Sequence, residues 1–133
     1  MNKTKLLLRF SAIYAVIGTF IGGHMAGAGS HLFRAIHAHI LLVGWLSLFA
    51  FAAFYALFSI PKSSKLATLH VWTALIGSFG LTAGMWVHYF NPEWINETFS
   101  LIFYISGGTI LTISFMLFAV MTFIFGSVIK DKK

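Results

Sequence analysis

The chain has 133 residues, of which 59% are hydrophobic and only 9% charged, with a formal net charge of +6 and no cysteine. A soluble domain carries about 25% charged residues, so this composition describes an integral membrane protein rather than a nucleic-acid binder. The missing cysteines exclude structural disulfides, thiolate metal sites and covalently attached c-type haem, which needs C-x-x-C-H.

The length suits a single domain, 1–133, and four apolar stretches can be read along it. The first runs over about 6–26 and contains Gly18 and Gly22. Its basic start and the small run AGAGS also fit a cleavable signal peptide, although its apolar body is longer than a usual one. Cleavage would leave three spans and keep the orientation of the rest. Gly27, Gly29 and Ser30 break the chain before the second stretch, about 36–60, which Pro61 ends. Ser63 or Ser64 can cap the third, about 66–90. The segment NPEWINE separates it from the fourth, about 99–129, long enough to tilt or to project beyond the lipid. Each stretch exceeds the ~20 residues that cross a bilayer as a helix. Loops this short join antiparallel neighbours, so the expected fold is an all-α, antiparallel bundle of four transmembrane helices.

The cations orient it. Lys3, Lys5 and Arg9 precede the first span, Lys62 and Lys65 lie between the second and third, and Lys130, Lys132 and Lys133 follow the fourth. Only Arg34 falls on the other side. The positive-inside rule then makes both termini cytoplasmic, as in a multi-pass protein of the bacterial inner membrane. Trp86, Tyr89 and Trp94 suit an outer aromatic belt, and Trp72 an inner one.

This topology sorts the six histidines. His24, His31, His37, His39 and His88 gather at the outer face, and only His70 sits near the inner end. A histidine at a membrane helix is costly unless something occupies it. On a regular helix His37 and His39 point about 200° apart, so they do not share one small centre. Gly44 lies about two turns beyond His37 on the same face, with Leu41 between them. The absent side chain leaves room beside a flat ligand held by His37. Gly77, Gly80, Gly84 and His88 make a second glycine stripe that ends in a histidine. Such a stripe can hold the face of a porphyrin, or it can serve close helix packing of the G-x-x-x-G kind. His31 reads best as a polar end residue, and His24 reads either way. His plus Met at an outer face is also how copper is held, with His24, Met25, His31, His37, His39, Met85 and His88 as the available ligands.

The stretch RAIHAHILLVGWLSLFAFAAFYALFSIP, Arg34 to Pro61, resembles the second transmembrane helix of haem–copper oxidase catalytic subunits, and most closely the nitric oxide reductase pattern. The resemblance implies that His37 is an axial ligand of a low-spin haem near the outer face. The chain is also similar, over nearly its whole length, to small four-helix relatives of that subunit. They carry HAH, a following GW and then H-x-W, here His37-Ala38-His39, Gly44-Trp45 and His70 with Trp72. By analogy with the threefold plan of the large subunit, such a unit would form a homotrimer. The chain departs from the family in having no His-His pair and no H-x-x-x-Y motif. Oxygen reduction by the family mechanism is therefore not expected.

The reading is a b-type haem protein for electron transfer or for binding NO or O2. His37 is one axial ligand and His88 the first choice for the other, with His24, His39 or Met85 as alternates and His70 as an alternate metal ligand at a separate inner site. Arg34 can pair with a haem propionate. Gly44 and Gly84 make room, and Trp45, Phe49, Trp86 and Tyr89 keep the iron dry. His70 lies too far along the third helix to share an iron with His37, since ~20 helical residues span ~30 Å. A second inner site, a structural hydrogen bond or proton handling is open to it. The expected partners are the lipid bilayer, further copies of the chain and a redox partner or quinone, with no nucleic acid. Copper binding and an assembly role in a respiratory oxidase are the alternatives. There is no Walker loop, no G-x-S-x-G and no pair of intramembrane carboxylates.

Overall fold

The computed structural model describes residues 1–128. Among them are four helices and no strand: α1 (Lys3–Ala28), α2 (Arg34–Leu57), α3 (Lys65–Phe90) and α4 (Glu97–Ile124). Each is long and apolar enough to cross a membrane.

Local chemistry sets their ends. The Asn2 side chain accepts the Lys5 N–H, and Gly29 closes α1 in the left-handed region at φ 59°. With these caps α1 runs wider than the expected 6–26. The Ser64 hydroxyl, rather than Ser63, caps α3 by accepting the Ala67 N–H at 3.2 Å. Asn91 at φ 39° ends α3, and Pro92 follows it, so the helix cannot continue. Asn96 accepts the N–H groups of Thr98 and Phe99, so α4 starts at Glu97 and not at 99. It stops at Ile124, short of the expected 129. Residues 129–133, with Lys130, Lys132 and Lys133, lie outside the described part.

The second helix departs twice from expectation. It ends at Leu57 rather than at 60, because Phe58 is already extended (φ −113°, ψ 136°). Pro61 disfavours helical backbone at Ile60, and the unwinding begins two residues earlier. Its middle, Ile40–Ser47, is π-helical. Ser47 Oγ donates to Leu42 O at 2.8 Å, five residues back, within this segment.

Small residues set the packing. Cβ positions at Gly44, Gly18 and Gly22 meet Tyr14, Leu41 and His37 in the facing helix. Those at Gly77, Gly80 and Gly84 meet backbone of Leu111, Gly107 and Tyr104. In both series the numbers rise on one helix and fall on the other, so α1–α2 and α3–α4 are antiparallel pairs. Leu7, Leu48, Phe51, Val71 and Ala74 join the two pairs in one apolar core. Half of the apolar window of α3 is buried, against 17% for α1 and 22% for α4, which makes α3 the central helix. Large apolar side chains such as Phe20 and Phe123 project outward, 75% and 85% exposed, and suit a lipid surround.

Candidate functional site

The topology places His24, His31, His37, His39 and His88 at the end of the bundle opposite Lys3 and Lys62. It does not bring them to one point. Among the described residues no three of His, Asp and Glu come together as a metal-binding group.

His37 is held most firmly. Its Nδ1 lies 2.9 Å from Gly18 O across the α1–α2 contact. A carbonyl only accepts, so Nδ1 carries the proton and the neutral ring presents an unprotonated Nε2. The absent side chain of Gly22 makes this possible, since a Cβ there would stand 2.8 Å from His37 Cε1. His39 is fixed in the same tautomer by its own helix, with Nδ1 2.8 Å from Ala35 O. At His88, Nδ1 is 3.3 Å from Ser100 Oγ. The Ser100 hydroxyl donates to Glu97 O at 2.8 Å, so His88 is the donor, and in the neutral ring its Nε2 is the free acceptor. The His88 ring stacks on Tyr104 at 5.7 Å.

His37 and His88 do not face each other. His37 turns toward α1, and His88 toward α4. The α2–α3 contact at this end is made instead by Ile36, Ile40 and Met85. Met85 is 1% exposed and is a core residue. His24 is exposed, with its ring edge 6.2 Å from Phe33, and His31 is exposed in the loop. Arg34 is exposed one turn before His37.

Gly44 does share a face with His37, as the spacing predicts, but that face packs on α1. The Tyr14 ring fills the space beside Gly44, and Leu41 seats on Gly18. Tyr14 is held there by its hydroxyl, 3.3 Å from Thr82 Oγ1. The second glycine stripe is likewise occupied, because a Cβ at Gly84 would stand 2.6 Å from Tyr104 Cα. Close helix packing, not room for a flat ligand, explains both stripes within one chain. Trp45 (43%), Phe49 (48%), Trp86 (43%) and Tyr89 (54%) are exposed and do not enclose a cavity of this chain.

His70 sits apart in a dry cage and is 0% exposed. Its Nδ1 is 2.9 Å from Tyr55 Oη, and the Phe51 and Phe118 rings lie 4.6 and 5.7 Å away. Tyr55 Oη also reaches Ala67 O at 3.1 Å. Among the described residues His70 Nε2 has no hydrogen-bond partner. The Tyr55–His70 pair escaped the sequence reading. The only signal for it is that Tyr55 and His70 flank one short loop at similar depths.

Compared with family models, curated proteins and solved structures, the chain finds no match in any of the three.

Proposed function

We propose that this chain is a membrane protein that binds b-type haem through His37, for electron transfer or for binding a small gas such as NO or O2. The observation that carries the reading is the bond from His37 Nδ1–H to Gly18 O. Ligating histidines have such a partner on the second ring nitrogen, which fixes the tautomer and orients the ring. The π-helical segment starts directly after His39, and π segments inside α-helices occur frequently at functional sites.

Bound haem would supply a redox-active or gas-binding iron. The chain's own part is to hold the imidazole against α1 and to offer Arg34, exposed one turn earlier, to a propionate. Tyr14 and α4 fill the glycine faces, so the porphyrin belongs outside the core of a single chain. Trp45 and Phe49 would then wall it from α2, and a second copy of the chain would complete the wall. With His88 turned toward α4, a second ligand would come from His24, or from His39 or another residue of a further copy, or the position would be left to the gas. A homotrimer follows by analogy with the resembled family, and a quinone or an electron carrier would be the redox partner. In this reading the end carrying Lys3, Lys5, Arg9, Lys62 and Lys65 faces the cytoplasm of a bacterial cell.

The test is an absorption spectrum of protein purified in mild detergent, oxidised and then reduced, with metal analysis of the same sample. A sharp reduced α-band marks two strong ligands. A broad band that shifts with carbon monoxide marks an open site. Colourless protein from haem-replete cells overturns the reading, in favour of copper where copper is stoichiometric and of an assembly role where it is absent.

A further inference from the structure

A cavity of about 660 Å³ opens at the end of the bundle opposite His24, His31, His37, His39 and His88, between the start of α1 and the 58–64 loop. Its lining includes the polar residues Lys3, Thr4, Ser59 and Lys62 and the aromatic residues Tyr55 and Phe58. Small-molecule sites span about 300–1,000 Å³.

Lys3 gives the cavity its chemistry. It is only 9% exposed, and its ammonium donates to Lys62 O at 2.9 Å. An ammonium carries three donors, and a buried charge is costly without an opposite one. Among the described residues the carboxylates are Glu93 and Glu97, both at the far end of the bundle. No carboxylate among the described residues therefore stands at this end as its counter-charge. Lys62, an exposed residue, adds a second cation to the lining, and Thr4 and Ser59 add hydroxyls. An occupant that suits these groups together carries both an anion and apolar atoms.

We propose that this cavity binds the phosphate headgroup of an anionic phospholipid, with Lys3 and Lys62 on the phosphate and Tyr55 and Phe58 beside the first carbons of the lipid. The site requires a membrane location but not haem, so haem content in the same variants separates its failure from failure of the haem reading.

The experiment is native mass spectrometry of the full chain in mild detergent, titrated with phosphatidylglycerol, with phosphatidylcholine and with inorganic phosphate. Phosphatidylglycerol is expected to bind at least about tenfold more tightly than phosphatidylcholine. The pair Lys3→Gln with Lys62→Gln removes that preference, and Lys3→Arg retains it. Lys5→Gln with Arg9→Gln removes the same charge from the neighbouring surface, where these two residues line a separate pocket. That pair leaves the preference within about threefold. Thermal melts confirm that each variant is folded. Equal losses in the two double variants would reduce the effect to diffuse surface charge and overturn the proposal. Inorganic phosphate that binds as tightly as the lipid overturns the lipid as source. Binding seen only in Asp131→Asn means that the tail carboxylate already neutralises Lys3, and also overturns it.

Discussion

His37 and His31 lie six residues apart at the same end of the bundle and are predicted to behave in opposite ways. His37 is locked onto Gly18 O at 2.9 Å, whereas His31 is exposed in a loop. On the proposed haem site, His37→Ala is expected to abolish the Soret band, and His31→Ala to leave it unchanged. Gly22→Ala keeps His37 but pushes its ring, because the new methyl would stand 2.8 Å from Cε1. Haem per protein should fall in that variant while the helix content holds, as absorbance and circular dichroism on one sample would show. The Tyr55–His70 pair makes a prediction about stability instead. Tyr55→Phe leaves His70 Nδ1 without its 2.9 Å partner in a fully buried cage. An orphaned buried polar group costs about 1–3 kcal/mol. Adding His70→Leu removes the orphan, so the double variant should melt above Tyr55→Phe alone.

At the scale of the element, the glycines divide by what faces them. A Cβ at Gly107 would run into the backbone of Gly80 and Leu81, whereas one at Gly23 would meet nothing within 4 Å. Both sit in helices, where alanine is intrinsically better by up to about 1 kcal/mol. Gly23→Ala should therefore be neutral or stabilising. Gly107→Ala should lower the melting point, since overpacking against backbone costs about 1–3 kcal/mol. The same melts with the signs reversed would mean that α3 and α4 do not touch as described. The π-helical segment makes a second prediction at this scale. Deleting Leu42, which is 59% exposed, removes one residue from Ile40–Ser47 and should return α2 to regular winding. The part of α2 before the deletion would then rotate by about 100° relative to the rest. His37 would leave Gly18, and on the proposed haem site haem would be lost without unfolding.

At the scale of the molecule, two antiparallel pairs meet on α3, and the wide apolar exposure of α1 and α4 leaves their outer faces for lipid or further copies. The placement of the cations predicts the orientation. A reporter fused before Lys3 or inserted at Ser63 should be active only in the cytoplasm, and one inserted at Gly29 or Trp94 only outside. An outside signal at Ser63 would invert the bundle and put the histidine end in the cytoplasm.

The four helices were legible in the sequence because the length of an apolar run measures a span directly, and short loops leave antiparallel pairing as the simple outcome. The gathering of five histidines at one end followed from the same fact. The break before α2 and the cap before α3 were readable to within a few residues, because caps act on three or four residues of neighbouring chain, but the choice of Gly29 over Gly27 and of Ser64 over Ser63 came from the structure. The shared face of His37 and Gly44 was also readable from spacing. Its neighbour was not, and Tyr14 had to be seen to close it. The π segment, the turning of His37 and His88 to different helices, the Tyr55–His70 cage and the burial of Lys3 were likewise decided only by tertiary structure. Each depends on which side chain from a distant part of the chain fills a given space. A helical pattern states which residues share a face, but the packing of whole helices selects what that face meets.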